Sequence, residues 1–149
     1  MSPQLHSEIA IEATPQRVWE VLTDFETYPE WNPFIPCISG PGTVGSRLDM
    51  QMQQPGGRRM DLHPTVLAAA PARELRWLGQ LGVPGLFDGE HGLRIESMGT
   101  NRVRFIQDER FSGLLAPLVL HFIGRSTRQG FEAMNVALKA RAEMPSPSD

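Results

Sequence analysis

Cysteine, tyrosine and lysine are each used once in this 149-residue chain. A single cysteine, Cys37, can close no internal disulfide and cannot supply a multi-cysteine zinc site. It follows Pro36 and has no cation or base beside it in sequence, so it reads as inert. No stretch of about 18 apolar residues is present to span a membrane as a helix. The start, MSPQLHSEIAIEA, lacks a basic segment followed by a long apolar one. No secretory leader is therefore expected, and the cytoplasm is the expected compartment. Net charge is −3, and the cations are 13 Arg and Lys139, without the basic excess a nucleic-acid binder needs. His6, His63, His91 and His121 show no metal-ligand spacing. Neither a Gly-rich phosphate loop nor a nucleophile-elbow pattern occurs. No metal, no cofactor and no nucleic acid are expected.

What the chain does have is 7 Met, 7 Phe and 3 Trp, with 14 Gly and 13 Pro that imply many turns and argue against a helical bundle. The length suits one domain, expected over residues 1–144, with a disordered Pro/Ser-rich tail at 145–149. Leu5 to Ala13 alternates as a strand, with Ile9, Ile11 and Ala13 on one face. Thr14 then reads as an N-cap and Pro15 as the first residue of a helix ending near Asp24. In YPEWNPF, residues 28–34, the prolines allow only a short helical turn. Strands are expected at Arg47–Gln53, Arg59–Ala69, Glu74–Leu81, Phe87–Ser97 and Val103–Phe111. Turns at Pro55-Gly56-Gly57, Pro71, Gly82–Gly85 and Gly99–Arg102 separate them.

From Leu115 to Glu143 the period becomes helical, with Pro117 in the first turn. Leu115, Val119, Phe122, Ile123, Ser126, Gly130, Ala133, Met134 and Ala137 fall on one face. His121, Arg125, Arg128, Glu132 and Lys139 fall on the other. Consecutive strands at hairpin spacing imply an antiparallel sheet. Its apolar face needs a cover, and the terminal helix is the only element long enough. The expected fold is α+β: a curved antiparallel sheet of about six to seven strands gripping a long C-terminal helix, with two short helices after the first strand.

Four segments carry a resemblance: IEATPQRVWEVLTDFETYPEWNPFI, ELRWLGQLGVPGLFDGEH, RVRFIQDERFSGLLAPL and FEAMNVALKARAE. Over roughly residues 5–143 the chain resembles the START-like, or Bet v 1-like, superfamily (SRPBCC), in particular its bacterial polyketide cyclase/dehydrase-like members. The resemblance implies the helix-grip fold and an internal cavity between sheet and helix. It also implies an apolar or amphipathic small-molecule ligand such as a lipid, an isoprenoid or a polycyclic aromatic. Within such a fold, function rests on the site rather than the scaffold.

Strand parity supplies candidates for that site. Val103, Phe105, Gln107, Glu109 and Phe111 share one face of the last strand. His91, Leu93, Ile95 and Ser97 share one face of the strand before it. If Ile95 sits opposite Phe105, His91 sits opposite Glu109. If Ile95 sits opposite Val103, His91 meets Gln107. Either way an imidazole, an amide and a carboxylate point inward and need partners. His91 and Glu109 are the catalytic candidates for an acid–base reaction. They equally suit ligand orientation, or simple mutual satisfaction near the sheet's end.

Trp31, Phe34, Met50, Met52, Met60, Trp77, Phe105, Phe111, Val119, Phe122 and Met134 either line the cavity or form core. Ser126 and Gly130, small residues on the helix's apolar face, are expected to leave space over the sheet. Two loops, VPGLF (83–87) and FSGLLAPL (111–118), are apolar. They are expected to rim one end of the cavity, where they suit a portal or peripheral contact with a membrane or protein. Three functions follow: binding of an apolar small molecule, a cyclase or dehydratase activity, or an interaction module, as a monomer or a homodimer.

Overall fold

The computed structural model describes residues 4–145, so all but the first residue of the expected 145–149 tail lies outside the described residues. β1 (Gln4–Ile11) leads into α1 (Pro15–Thr23). Thr14 caps this helix, its hydroxyl accepting from Arg17 N at 3.1 Å, and Pro15 opens it without wasting a main-chain donor. A 3-10 turn (Phe25–Thr27) and α2 (Tyr28–Trp31) follow. Asn32 Oδ1 then accepts from Phe34 N at 3.0 Å and Ile35 N at 2.8 Å, which turns the chain out of the helix.

The remaining strands are β2 (Cys37–Ser39), β3 (Asp49–Gln53), β4 (Arg59–Leu62), β5 (Thr65–Ala70), β6 (Glu74–Leu81), β7 (Phe87–Ser97) and β8 (Val103–Ser112). They form an antiparallel curved sheet in the order β1-β8-β7-β6-β5 and a three-stranded sheet in the order β2-β3-β4. The stretch expected as one strand over Arg59–Ala69 is two strands, broken at His63-Pro64. Pro64 has no N–H to continue a ladder, and its carbonyl instead accepts from Leu48 N at 2.9 Å. The chain changes sheet here, and a bridge between Arg47 and Thr65 joins the two sheets. The short β2, directly after Pro36, is a strand beyond those expected from the sequence.

α3 (Ala116–Glu143) lies over the inner face. Its C-terminal carbonyls, those of Arg141 and Ala142, accept from the Arg17 guanidinium at 3.3 Å each, a cation at the negative end of the helix. The buried side of α3 is Thr127, Gly130, Phe131, Met134, Asn135, Leu138 and Ala142. This face is turned by about one residue step from the expected one. Phe122 is 75% exposed and Ala133 is also exposed. The cause is polar burial: Thr127 and Asn135 are inside because partners there satisfy them. Gly130 leaves no empty space either, since the Phe34 ring packs where its side chain would be. Phe34 in turn meets Phe131 edge-on at 5.6 Å.

Candidate functional site

The β7–β8 hairpin sets the site. Its register pairs Ile95 with Phe105 and therefore His91 with Glu109, the first of the two alternatives. Strand parity then places His91, Gln107 and Glu109 on the face toward α3. His91 Nδ1 lies 3.1 Å from Glu109 Oε1, and its Nε2 lies 2.9 Å from Gln107 Oε1. Gln107 Nε2 donates to the Phe131 carbonyl at 3.2 Å and to Asn135 Oδ1 at 2.8 Å. Asn135 Nδ2 donates to Ser7 Oγ at 3.0 Å. Five polar side chains on β1, β7, β8 and α3 thus form one buried network, each satisfying the next.

Aromatic rings wall this network in. Trp77, paired with His91 across β6 and β7, stacks on the imidazole at 5.3 Å, and Phe131 meets it edge-on at 4.9 Å. His91 is 1% exposed and Gln107 is fully buried. The Glu109 side chain keeps 12% of its surface exposed. Its second oxygen, Oε2, sits over Gly89, where any Cβ would collide with it. A glycine at this strand position makes room for the carboxylate.

Glu109 opens onto a cleft between the sheet and α3, about 60 Å³ in volume and partly open to solvent. Met52, Met60, Trp77, His91, Glu109 and Phe111 line it, as expected positions go. Leu62 and Leu81 add apolar wall that the sequence reading did not assign to the site, joined by Phe87 from the loop expected at the rim and Ile123 from the helix face expected inward. Gln54 and Thr127 were missed as well. Gln54 Nε2 donates to Thr127 Oγ1 at 3.0 Å, while Gln54 Oε1 has no partner among the described residues. Its only sequence signal is a glutamine one step past a strand and just before a turn.

Other expected positions lie elsewhere. Phe34, Phe105 and Met134 are core. Met50 is core with an edge on a separate surface groove beside Cys37. Trp31 packs on Tyr28 at 5.0 Å. Gln107 is a wall of the network, behind His91. Val119 packs against the Phe87–Phe111 cluster. Ser126 spends its hydroxyl on the Ile123 carbonyl at 3.1 Å. Gly130 is the Phe34 contact already described, and Phe122 faces solvent.

The loops at 82–86 and 112–115 are tied together, with Leu114 N and Leu115 N donating to the Gly85 and Leu86 carbonyls at 3.0 and 2.9 Å. They flank Phe87 and Phe111, which stack at 5.6 Å at the cleft wall. Leu114, Leu118, Phe122 and Val83 are exposed in this region. No helix among the described residues is long and apolar enough to cross a membrane. Among the described residues no group of three or more His, Cys, Asp or Glu side chains is arranged to hold a metal ion.

Comparison with solved structures shows the same fold. An aromatase/cyclase, Zhui from Streptomyces sp. R1128, is 14% identical with a TM-score of 0.78, covering 96% of this chain and 94% of its own. A START superfamily protein from Mycobacterium smegmatis is 21% identical with a TM-score of 0.72, covering 94% and 97%. Norcoclaurine synthase from Thalictrum flavum, solved with dopamine and hydroxybenzaldehyde, is 16% identical with a TM-score of 0.74, covering 98% and 90%. No curated protein matches the chain by sequence. A family model described as polyketide cyclase / dehydrase and lipid transport matches residues 2–143, and the chain belongs to that family.

Proposed function

We propose that this chain binds a small, mainly apolar molecule in the cleft between the curved sheet and α3. The observation that carries the reading is the wall itself. Met52, Met60, Trp77, Phe87 and Phe111 surround a single carboxylate that is held in place from behind. Apolar walls with a few fixed polar groups are what ligand sites use for affinity and orientation. The cleft's 60 Å³ is well below the roughly 300–1,000 Å³ of drug-sized sites. A cavity of about 150 Å³ holds benzene. Binding therefore widens the cleft. Met52 and Met60 are unbranched and can change rotamer at little cost. The exposed Leu114, Leu118 and Phe122 make that end the entry side, and suit transient contact with a lipid surface during loading.

The test uses Trp77 as an internal probe. In a Trp19→Phe, Trp31→Phe background, Trp77 emission should shift when toluene or phenol is titrated. Native mass spectrometry of freshly purified protein should retain an apolar adduct. Unchanged emission with every aromatic probe, together with an adduct-free spectrum, would refute the reading.

A second reading, an acid–base enzyme of the cyclase or dehydratase type, is favoured by the 3.1 Å hydrogen-bond contact of His91 with Glu109 beside the cleft. Its measure is turnover of a candidate polyketide-like substrate by Glu109→Gln, which an acid–base role requires to fall by about 100-fold or more.

A further inference from the structure

Hydrogen-bond chemistry fixes what the cleft lacks. The Phe131 carbonyl can only accept, so the Gln107 atom 3.2 Å from it is the amide nitrogen. The Gln107 oxygen therefore faces His91 Nε2 at 2.9 Å, and that nitrogen must carry a hydrogen. What remains is one proton between His91 Nδ1 and Glu109 Oε1, 3.1 Å apart. Whether it rests on nitrogen or oxygen, those two atoms consume each other. His91 thus has no nitrogen left for a ligand. Glu109 Oε2 is left at the cleft with lone pairs only.

Gln54 adds a second unpartnered polar group to the same cleft. It is 7% exposed, and the Thr127 hydroxyl, which can donate or accept, satisfies one end of its amide at 3.0 Å and leaves the other without a partner among the described residues. An orphaned buried amide atom is costly, and a ligand hydroxyl, donor and acceptor both, meets it in either orientation. No Arg or Lys lines the cleft, so a carboxylate there would be an unpaired buried charge facing an acceptor.

We infer that the cleft selects a neutral apolar molecule bearing a hydroxyl, a phenol or an alcohol, and excludes carboxylates. Glu109 and Gln54 read the hydroxyl, and His91 is a positioning residue that holds Glu109. The inference rests on the ligand-binding reading above and narrows its ligand class.

Three matched probes test it on the full chain: phenol, toluene and benzoate, titrated by Trp77 emission in the background above. Phenol should bind about ten- to a hundredfold more tightly than toluene, as a hydrogen bond to a charged or orphaned acceptor implies. Benzoate should bind most weakly. Gln54→Met should reduce the phenol-to-toluene ratio. Glu109→Gln, whose amide N–H serves His91 Nδ1 and leaves only a weaker neutral acceptor at the cleft, should also reduce that ratio. Toluene equal to phenol, or benzoate above phenol, overturns this inference and leaves the cleft as a ligand site. Ratios unmoved in both variants overturn the assignment to Glu109 and Gln54. Failure of all three probes to bind overturns the ligand-binding reading itself.

Discussion

Replacing Gln107 with leucine cuts the buried network at its centre. The substitution keeps the volume but removes the acceptor for His91 Nε2 and the donor to Asn135 Oδ1. The Phe131 carbonyl also loses this donor but sits mid-helix, where the main chain serves it. Two polar atoms are therefore orphaned, on residues 1% and 2% exposed. Each such atom costs about 1–3 kcal/mol, so Gln107→Leu should destabilise by roughly 2–6 kcal/mol. For a domain near this size that lowers Tm by about 2–4 °C per kcal/mol, making the loss visible by circular dichroism. Urea unfolding at neutral pH gives the free energy directly. A second substitution isolates the cause. His91→Phe removes the orphaned N–H, so in the double variant the losses should not add. The coupling should be about 1–3 kcal/mol. A loss under about 1 kcal/mol in Gln107→Leu, or strict additivity in the cycle, would refute the network as described.

Three further perturbations separate the parts of the fold. Gly130→Ala should destabilise by up to about 2 kcal/mol, because overpacking against Phe34 outweighs roughly 1 kcal/mol of helix propensity. In a Phe34→Leu background the same change should cost less or become favourable, as urea midpoints will show. Phe122→Ser should leave stability within about 0.5 kcal/mol, because the ring is 75% exposed, whereas a buried helix phenylalanine would cost several times more. Glu143 is held below its ordinary value of 4.5 by the hydrogen bond from Lys139 and by the Glu12 main-chain N–H. A carboxylate with a lowered folded pKa stabilises above its unfolded value and loses that contribution as pH falls through the folded one. The stability gap between the native chain and Glu143→Gln should therefore be constant above about pH 5 and close on further acidification, measured by urea midpoints across that range.

Local signals in the sequence carried the elements that position the site. Thr14-Pro15 opened α1, the alternation in residues 87–111 placed His91, Gln107 and Glu109 on one face, and Pro117 marked the start of α3. These follow from strand parity and capping, which need no tertiary partner. The structure departed from the sequence reading where long-range partners decide. Thr127 and Asn135 are polar, so a hydrophobic stripe excludes them, yet Gln54, Gln107 and Ser7 bring them inside. That rotated the buried face of α3 and put Phe122 in solvent. Gly130 looked like room for a ligand and is instead filled by Phe34, from a segment about 100 residues earlier that no local pattern links to it. The strand break at Pro64 was readable from proline chemistry alone. Gln54 had only its place one step past a strand and before a turn to mark it, because an unpaired buried amide is visible only once the walls around it exist.

The methionines provide the most direct test of a ligand site between sheet and helix. Met52 and Met60 line the cleft, whereas Met50 and Met134 are packed in the core beside it. With 13C-methyl methionine, titration with phenol should move the Met52 and Met60 methyl resonances and leave Met134 in place. Shifts confined to Met50 or Met134, or no methyl shift at saturating phenol, would contradict the account.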